Sequence, residues 1–337
     1  AFCVFSASCP FKIYLGQMWE RIYFKYSDVL QWKVNYSRIS QNKNQRMTRA
    51  KALFIKGKES LKKNWLKAYQ YFLQAKALDP EFMPAYYEIA DLLHKRGFTE
   101  KAISILEEAL VVRPDDQINL FAMANLYFSS GRPASALKYY RSIYTKIKNP
   151  PSDLYFLMGL CHSLLGHYRK ALGLVKKAIS LDPYFLEAYD LYGRLCLETG
   201  RYDEAEAAYR YILQYDSDAP NTHYMLGVVF ARQHKWDEAI KEWERAIEIA
   251  PDMDDAIREL GWAWNILGDV ERSIHMLRKA LELNPYNLQA RIDLSAVLIG
   301  QRFFKEAMRE LEIVLELDPE NDLIEELLKE IKEGIKH

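Results

Sequence analysis

The sequence predicts an all-α protein built from a helix–turn–helix unit that recurs about eight times along 337 residues, and three observations lead to this prediction. Small residues return at steps of 34 residues, with one step of 35. Each period contains two amphipathic stretches with the spacing of α-helices. Glycine divides the two stretches and proline follows the second. Because half of the residues are hydrophobic, the chain has ample apolar material for a core along these helices.

The repeated small residues form two series. The first series is Ala68, Ala102, Ala136, Ala171, Ala205, Ala239, Ser273 and Ala307. The second series is Ala90, Ala124, Gly159, Gly193, Gly227, Gly261 and Ser295. We expect both series to lie where the two helices of a unit cross, because a bulky side chain there would hold the helix axes beyond their packing distance of about 8 to 10 Å.

The helix ends are predicted from glycine and proline. A glycine suits the left-handed conformation in which many helices end, and it stands between the two helical stretches of five periods. These residues are Gly97, Gly131, Gly166, Gly200 and Gly268. Proline pushes the preceding residue out of the helical region, so the second stretch of a period is expected to end before it. These prolines are Pro80, Pro114, Pro183, Pro251, Pro285 and Pro319.

Together these periodic residues resemble the tetratricopeptide repeat. The clearest copy comprises His223, Leu226, Gly227, Phe230, Trp236, Ala239, Trp243, Ala246 and Pro251. Eight copies can be aligned in phase, with starts near residues 49, 83, 117, 152, 186, 220, 254 and 288. The sixth copy has His234 where glycine is usual. The resemblance implies a right-handed α-solenoid superhelix of about eight helix–turn–helix repeats.

The repeats divide the chain into three parts: an aromatic and basic segment at 1–48, the repeats at 49–321 and a capping helix at 322–337. Solenoids need a polar-backed end, and the last segment carries an apolar face made of Leu323, Ile324, Leu327, Leu328, Ile331 and Ile335. The first segment has several interpretations. It caps the first repeat, docks on a partner, or lies on an anionic membrane. A fourth interpretation takes Met47 as the true start.

The resemblance also implies where partners bind, namely on the concave face lined by the first helix of each repeat. The inward positions of this face are Tyr87, Asp91, Phe121, Asn125, Phe128, Phe156, Arg194, Tyr224, Arg232, Arg258, Trp262 and Asn265. Aromatic rings can anchor a peptide or helix, while Asn and Arg can hold its backbone or acidic side chains. The alternative is that several of these rings pack against the next repeat.

Composition and motifs argue against other functions. The 46 basic residues are balanced by 46 acidic ones, so we expect no nucleic-acid partner. The seven histidines form no HExxH motif, so we expect no metal ion, and no cofactor is predicted. The cysteines at 3, 9, 161 and 196 form no CxxC pair, which favours free thiols in a reducing compartment. No phosphate-binding loop or nucleophile motif is recognised, so we expect no enzyme.

We therefore expect a non-enzymatic scaffold or adaptor in the cytoplasm that binds a peptide or helix of a partner protein, and self-association is compatible with this. The alternative is a membrane-associated or periplasmic assembly factor for a secretion, pilus or envelope complex, tethered through residues 1–46. Membrane contact is expected only through that segment. A third hypothesis, the substrate-binding module of a glycosyltransferase, is disfavoured because the repeats and caps occupy the chain.

Overall fold

The computed structural model describes residues 41–334 and shows an all-helical architecture over that range. The interpretations of residues 1–40 and of residues 335–337, including Ile335, lie outside the described residues. Within the described range 17 α-helices follow one another. They are α1 (Gln41–Ser60), α2 (Trp65–Leu78), α3 (Met83–Lys95), α4 (Thr99–Val112), α5 (Gln117–Ser129), α6 (Pro133–Lys146), α7 (Ser152–Leu164), α8 (Tyr168–Leu181), α9 (Leu186–Glu198), α10 (Tyr202–Tyr215), α11 (Pro220–Arg232), α12 (Trp236–Ile249), α13 (Asp254–Ile266), α14 (Val270–Leu283), α15 (Leu288–Gly300), α16 (Phe304–Leu317) and α17 (Asp322–Gly334).

The helices pack as consecutive pairs, and each odd-numbered helix from α1 to α15 makes its largest contact with the even-numbered helix that follows it. The chain divides into two compact units, the first ending at Asp182 and the second beginning at Pro183. Among the described residues, unit 1 contains the four pairs α1 to α8. Unit 2 contains the four pairs α9 to α16 and the single helix α17. The prediction of an all-α protein built from paired helices is therefore confirmed.

Helix α1 differs from the other first helices because the structure describes it over 20 residues, from Gln41 to Ser60. The predicted division between residues 48 and 49 therefore falls inside a helix. The physical reason is that neither proline nor glycine occurs between Gln41 and Lys56, so nothing in this stretch ends the helix.

The two series of small residues lie at the helix crossings, as predicted. All eight members of the first series are fully buried. In the second series, a Cβ added to Gly227 would lie 2.5 Å from Nε1 of Trp243, and one added to Gly193 would lie 2.6 Å from Cζ of Tyr209. Each glycine thus leaves space for a large ring on the paired helix. Size complementarity across the pair lets the two backbones approach.

We expect substitution of Gly227 by alanine to destabilise unit 2 by about 1 to 3 kcal/mol, because the added methyl group overlaps a rigid indole ring. The matched control is Gly173→Ala in the middle of α8, where no atom lies within 4 Å of the added carbon. That change should stabilise its helix by up to about 1 kcal/mol. Urea unfolding followed by circular dichroism measures both effects. A Gly227→Ala variant as stable as the unchanged protein would contradict the crossing geometry.

The turns inside the pairs use the left-handed conformation that the sequence predicts. The five glycines named for this role have φ angles between 72° and 87°. At the equivalent points of two other pairs, His234 has a φ of 60° and Arg302 a φ of 63°. The hydrogen bonds hold this turn even without glycine, as the Lys235 amide donates to the Phe230 carbonyl at 2.9 Å.

The last helix covers the end of unit 2. Ile324, Leu328 and Ile331 of α17 are buried against Leu311 and Val314 of α16. This confirms the prediction of a capping helix, because these apolar side chains shield a face that would otherwise meet water. None of the helices in residues 41–334 has the length and apolar character required to span a membrane.

Candidate functional site

The twelve residues predicted to bind a partner all lie on first helices of pairs. In unit 1 they are Tyr87 and Asp91 on α3, Phe121, Asn125 and Phe128 on α5, and Phe156 on α7. In unit 2 they are Arg194 on α9, Tyr224 and Arg232 on α11, and Arg258, Trp262 and Asn265 on α13. Helix α3 contacts α5, and α13 contacts α15. We use the name unit 1 face for the first helices α3, α5 and α7 of unit 1, and the name unit 2 face for the first helices α9, α11, α13 and α15 of unit 2.

Three residues of the unit 1 face belong to the core instead of the surface. The side chains of Phe128 and Phe156 are 6% and 2% exposed, which is too little for either ring to anchor a partner. Tyr87 is also buried, and its hydroxyl donates a 2.5 Å hydrogen bond to Oδ1 of Asp116, the residue that caps α5. The predicted partner-binding role is wrong for these three, because their rings fill space between repeats.

Phe121 and Asn125 of the unit 1 face are tied to the same buried tyrosine. The ring of Phe121 meets the ring of Tyr140 edge to face, with centroids 5.9 Å apart. The Tyr140 hydroxyl donates a 2.5 Å hydrogen bond to Oδ1 of Asn125, and burial raises the pKa of Tyr140 well above its usual value. With its oxygen so engaged, Asn125 can offer its amide N–H groups to a ligand carbonyl. Asp91 forms an ion pair with Lys95 at 2.9 Å.

His94 links two first helices of unit 1. Its Nε2 lies 3.0 Å from Oγ of Ser129 on α5, and its Nδ1 lies 3.1 Å from Oγ1 of Thr99. Burial lowers the pKa of His94, and this effect outweighs the attraction of Asp91 for the protonated ring. A neutral imidazole can both donate and accept, so it suits a position between two hydroxyl groups.

A second histidine of unit 1, His162 on α7, is buried beside His167. The two Nδ1 atoms lie 3.3 Å apart, so one donates and the other accepts. Burial lowers the pKa of His162, and the positive charges of Arg141 and Lys170 lower it further, together with His167. The fold therefore favours the neutral imidazole of His94 and of His162.

We expect unit 1 to lose stability as the pH falls through about 6.5, because His94 and His162 take up protons more readily in the unfolded chain than in the fold. Both folded pKa values are lowered, so their contribution is present above that pH and is lost in acid. Guanidinium unfolding at pH 7.5 and 5.5 measures the change. The double variant His94→Gln and His162→Gln should show a smaller difference between the two pH values; an equal difference would contradict this assignment.

The arginines of the unit 2 face are neutralised by carboxylates of the same face. Nη1 of Arg258 lies 2.8 Å from Oδ2 of Asp293 on α15, and Arg258 also pairs with Glu259. Burial acts to lower the pKa of Arg258, but these two carboxylates raise it above its usual value. Arg194 pairs with Asp190, one turn earlier on α9. The expectation that both arginines hold acidic side chains of a ligand therefore needs correction, because each already has an acidic partner.

Negative charge exceeds positive charge on the unit 2 face. The seven carboxylates on its helices are Glu187, Asp190, Glu198, Asp254, Asp255, Glu259 and Asp293. The four arginines are Arg194, Arg232, Arg258 and Arg291, which leaves an excess of three carboxylates. Arg232 is exposed, and no ion pair is found for it within the described range. The surface is therefore acidic, although the whole chain is neutral.

The partly exposed aromatic surface of the unit 2 face lies on α13 and α11. Trp262 and Asn265 are half-buried on α13, and the adjacent Ile266 is exposed. Tyr224 on α11 is half-buried, and its backbone carbonyl accepts a 3.1 Å hydrogen bond from Nε1 of the core residue Trp243. Trp262 and Ile266 thus offer apolar surface on α13, and the hydrogen bond from Trp243 helps to hold the neighbouring helix α11 in place.

Sequence reasoning missed Glu259 and Asp293, although they determine the charge around Arg258. The family positions that were read along each first helix do not include theirs. The signal that could have found them is spacing, since Arg258 and Asp293 are 35 residues apart and therefore occupy adjoining first helices in nearly the same register. Among the described residues, no three His, Cys, Asp or Glu side chains are placed to hold a metal ion.

Family models match most of the repeat region. The model described as Tetratricopeptide repeat matches residues 197–261 and 266–331. The model for YpiA-like tetratricopeptide repeats matches residues 95–146. The model for subunit 3 of the anaphase-promoting complex, or cyclosome, matches residues 135–212.

Individual relatives are more distant. The chain is 25% identical over 248 residues to anaphase-promoting complex subunit 3 of Schizosaccharomyces pombe, covering 73% of this chain and 36% of that protein. It is 22% identical over 214 residues to the human protein O-mannosyl-transferase TMTC1, covering 62% of this chain and 24% of that protein. The chain thus spans about a third or less of these two relatives. A tetratricopeptide repeat protein from Parabacteroides merdae superposes with a TM-score of 0.58 at 17% identity, over 74% of this chain and 99% of that one.

Proposed function

Because the chain belongs to the tetratricopeptide-repeat family, whose fold serves protein interaction, we propose that it is a scaffold whose unit 2 face binds a cationic segment of a partner protein. The observation that carries this proposal is the charge of that face. Arg258 and Arg194 are neutralised by their own neighbours, and carboxylates remain in excess. A segment rich in Lys or Arg is therefore attracted, whereas an acidic one is repelled.

The apolar part of the contact is assigned to Trp262 and Ile266. Both side chains lie on α13, next to acidic residues of the same helix. An aromatic side chain surrounded by polar groups is a common form of binding hot spot. Asn265 on the same helix can hydrogen-bond the backbone of the bound segment. We therefore expect the ligand to combine positive charges with one large apolar residue.

The relatives support the general role and leave the partner open. The name of the fission yeast relative denotes a subunit of a multiprotein complex, in keeping with a scaffold. The human relative is named as an O-mannosyl-transferase, but this chain corresponds to 24% of it. We propose no catalytic activity for the described repeats.

A peptide library tests the proposal directly. Random 12-residue peptides are selected on the immobilised full chain, and the enriched sequences are then measured by fluorescence anisotropy. We expect enrichment of Lys and Arg together with an aromatic or large aliphatic residue. Trp262→Ala should weaken binding by about tenfold or more. Binding should also weaken as salt is raised from about 0.05 to 0.5 M, because exposed charges are screened over a few ångströms at high ionic strength.

The matched control is Tyr286→Ala, which removes a ring that is exposed in the loop before α15 and lies off the unit 2 face. Binding by this variant should equal that of the unchanged protein. Selection of acidic peptides would show that the charge argument is wrong. Equal losses in the Trp262 and Tyr286 variants would show that the site lies elsewhere.

A further inference from the structure

The first helical pair carries a dense positive surface that the neutral net charge of the chain conceals. Residues 45–67 contain eight Lys or Arg and a single acidic residue, Glu59. All eight cationic side chains are exposed, and we call them the basic surface. They are Arg46, Arg49, Lys51, Lys56, Lys58, Lys62, Lys63 and Lys67. Within the described range, Lys58 alone among them forms an ion pair, with Glu88 at 2.5 Å.

The basic residues of α1 form two stripes on its solvent side. Arg49 and Lys56 are seven residues apart, as are Lys51 and Lys58, so each pair lies along one line of the helix. The opposite side packs into the core through Ala50 and Phe54. At 3.6 residues per turn the two stripes flank the outward direction of α1, and neither is covered by α2.

Apolar side chains lie between these charges. Ile55 falls between the two stripes of α1 and is 55% exposed. Leu66 follows Lys62 and Lys63 at the start of α2, directly before Lys67, and is 51% exposed. Exposed aliphatic groups surrounded by lysines suit a bilayer interface. The aliphatic groups enter the acyl boundary, and the lysine stems extend so that their ammonium groups reach the phosphates.

We propose that the basic surface of α1 and α2 binds an anionic lipid bilayer. A cluster of four to eight Lys or Arg on an amphipathic helix provides the attraction to a negative membrane surface, and Ile55 and Leu66 add apolar contact. This interaction is peripheral, involves the described residues of the first pair and is independent of the proposed peptide site in unit 2.

A nucleic acid would use the charges but not the rest of the surface. Phosphate backbones gain nothing from exposed aliphatic side chains, and single-stranded ligands are held mainly by stacking on aromatic rings. Trp65 already stacks on the guanidinium of Arg96 at 4.8 Å, and Phe54, whose ring lies beneath Lys58, packs into the core. The combination of lysines with Ile55 and Leu66 therefore favours lipid.

Vesicle sedimentation of the full chain tests this proposal. We compare vesicles of phosphatidylcholine alone with vesicles containing about 30% phosphatidylserine, at about 0.1 M salt. We expect binding only to the anionic vesicles, and about a tenfold or greater loss in a variant with four neutralised lysines of the basic surface. A control variant neutralises four exposed lysines elsewhere and should bind normally. The test variant carries Lys51→Gln, Lys56→Gln, Lys62→Gln and Lys63→Gln, and the control carries Lys138→Gln, Lys177→Gln, Lys241→Gln and Lys305→Gln.

A second variant tests the apolar contribution while leaving the charge unchanged. Ile55→Ser with Leu66→Ser should bind anionic vesicles several-fold more weakly, because the transfer of two aliphatic side chains is lost. Retained circular dichroism shows that either variant is folded. Equal binding to both vesicle types, no binding at all, or equal losses in the test and control variants would overturn the proposal. So would tight binding of a duplex RNA through the same lysines without binding to the anionic vesicles.

Discussion

Replacement of Trp243 by alanine is expected to destabilise unit 2 by about 3 to 5 kcal/mol. The ring is fully buried in α12, against the space left by Gly227 of α11, and its Nε1 donates a hydrogen bond to the Tyr224 carbonyl at 3.1 Å. Alanine would leave a cavity and would remove the indole hydrogen bond to the Tyr224 carbonyl. The effect can be measured by denaturant unfolding, and by hydrogen exchange of amides in α11 and α12.

The matched control is Trp264→Ala in the same unit. Trp264 is half-buried, and its ring stacks on the guanidinium of Arg272 at 4.6 Å. Its removal should reduce the free energy of unfolding by about 1 kcal/mol, which is the usual range for a partly exposed cation–π contact. If the two alanine variants lost similar stability, the assignment of Trp243 as the central residue of its pair would be wrong.

Replacement of Asp293 by alanine is expected to reduce the stability of unit 2 by about 3 kcal/mol. The side chains of Arg258 and Asp293 are only 14% and 9% exposed. Because water solvates neither ion well, removing one partner lowers the free energy of unfolding substantially. Without Asp293, Glu259 is the single remaining carboxylate paired with Arg258. Gln289 also loses the acceptor to which its Nε2 donates at 2.8 Å. Thermal unfolding measures the loss.

The control for this variant is an exposed ion pair of the same unit. Arg278 and Glu306 lie 2.9 Å apart with both side chains about half exposed, so Glu306→Ala should cost less than about 1 kcal/mol. The double variant Arg258→Ala with Asp293→Ala should be more stable than Asp293→Ala alone, since it removes the incompletely paired cation. A double variant that is less stable would contradict the proposed burial cost.

The proposed interaction surfaces could be predicted from the sequence only in part. The resemblance to the tetratricopeptide repeat placed all twelve candidates on first helices, but the family positions do not distinguish a ring that faces solvent from one that packs against the next repeat. In the sequence, Phe128 and Phe156 therefore cannot be told apart from Phe121 as candidate binding residues, although the structure shows that both are buried. The basic surface was hidden for a different reason: the zero net charge of the whole chain averages its eight positive residues, which extend to Lys67, with acidic residues elsewhere.

The sequence by itself determined the periodic features, because they depend on local conformation. Helical spacing, glycine at the turns and proline after the second helices are each set within a few neighbouring residues, and their recurrence every 34 residues can be seen along the chain. The tertiary structure alone decided which large ring fills the space beside each small residue, as with Gly227 and Trp243. It also decided which charged side chains form ion pairs, as with Arg258 and Asp293. These pairings join residues 16 and 35 positions apart, and they follow from how helices pack rather than from any local pattern.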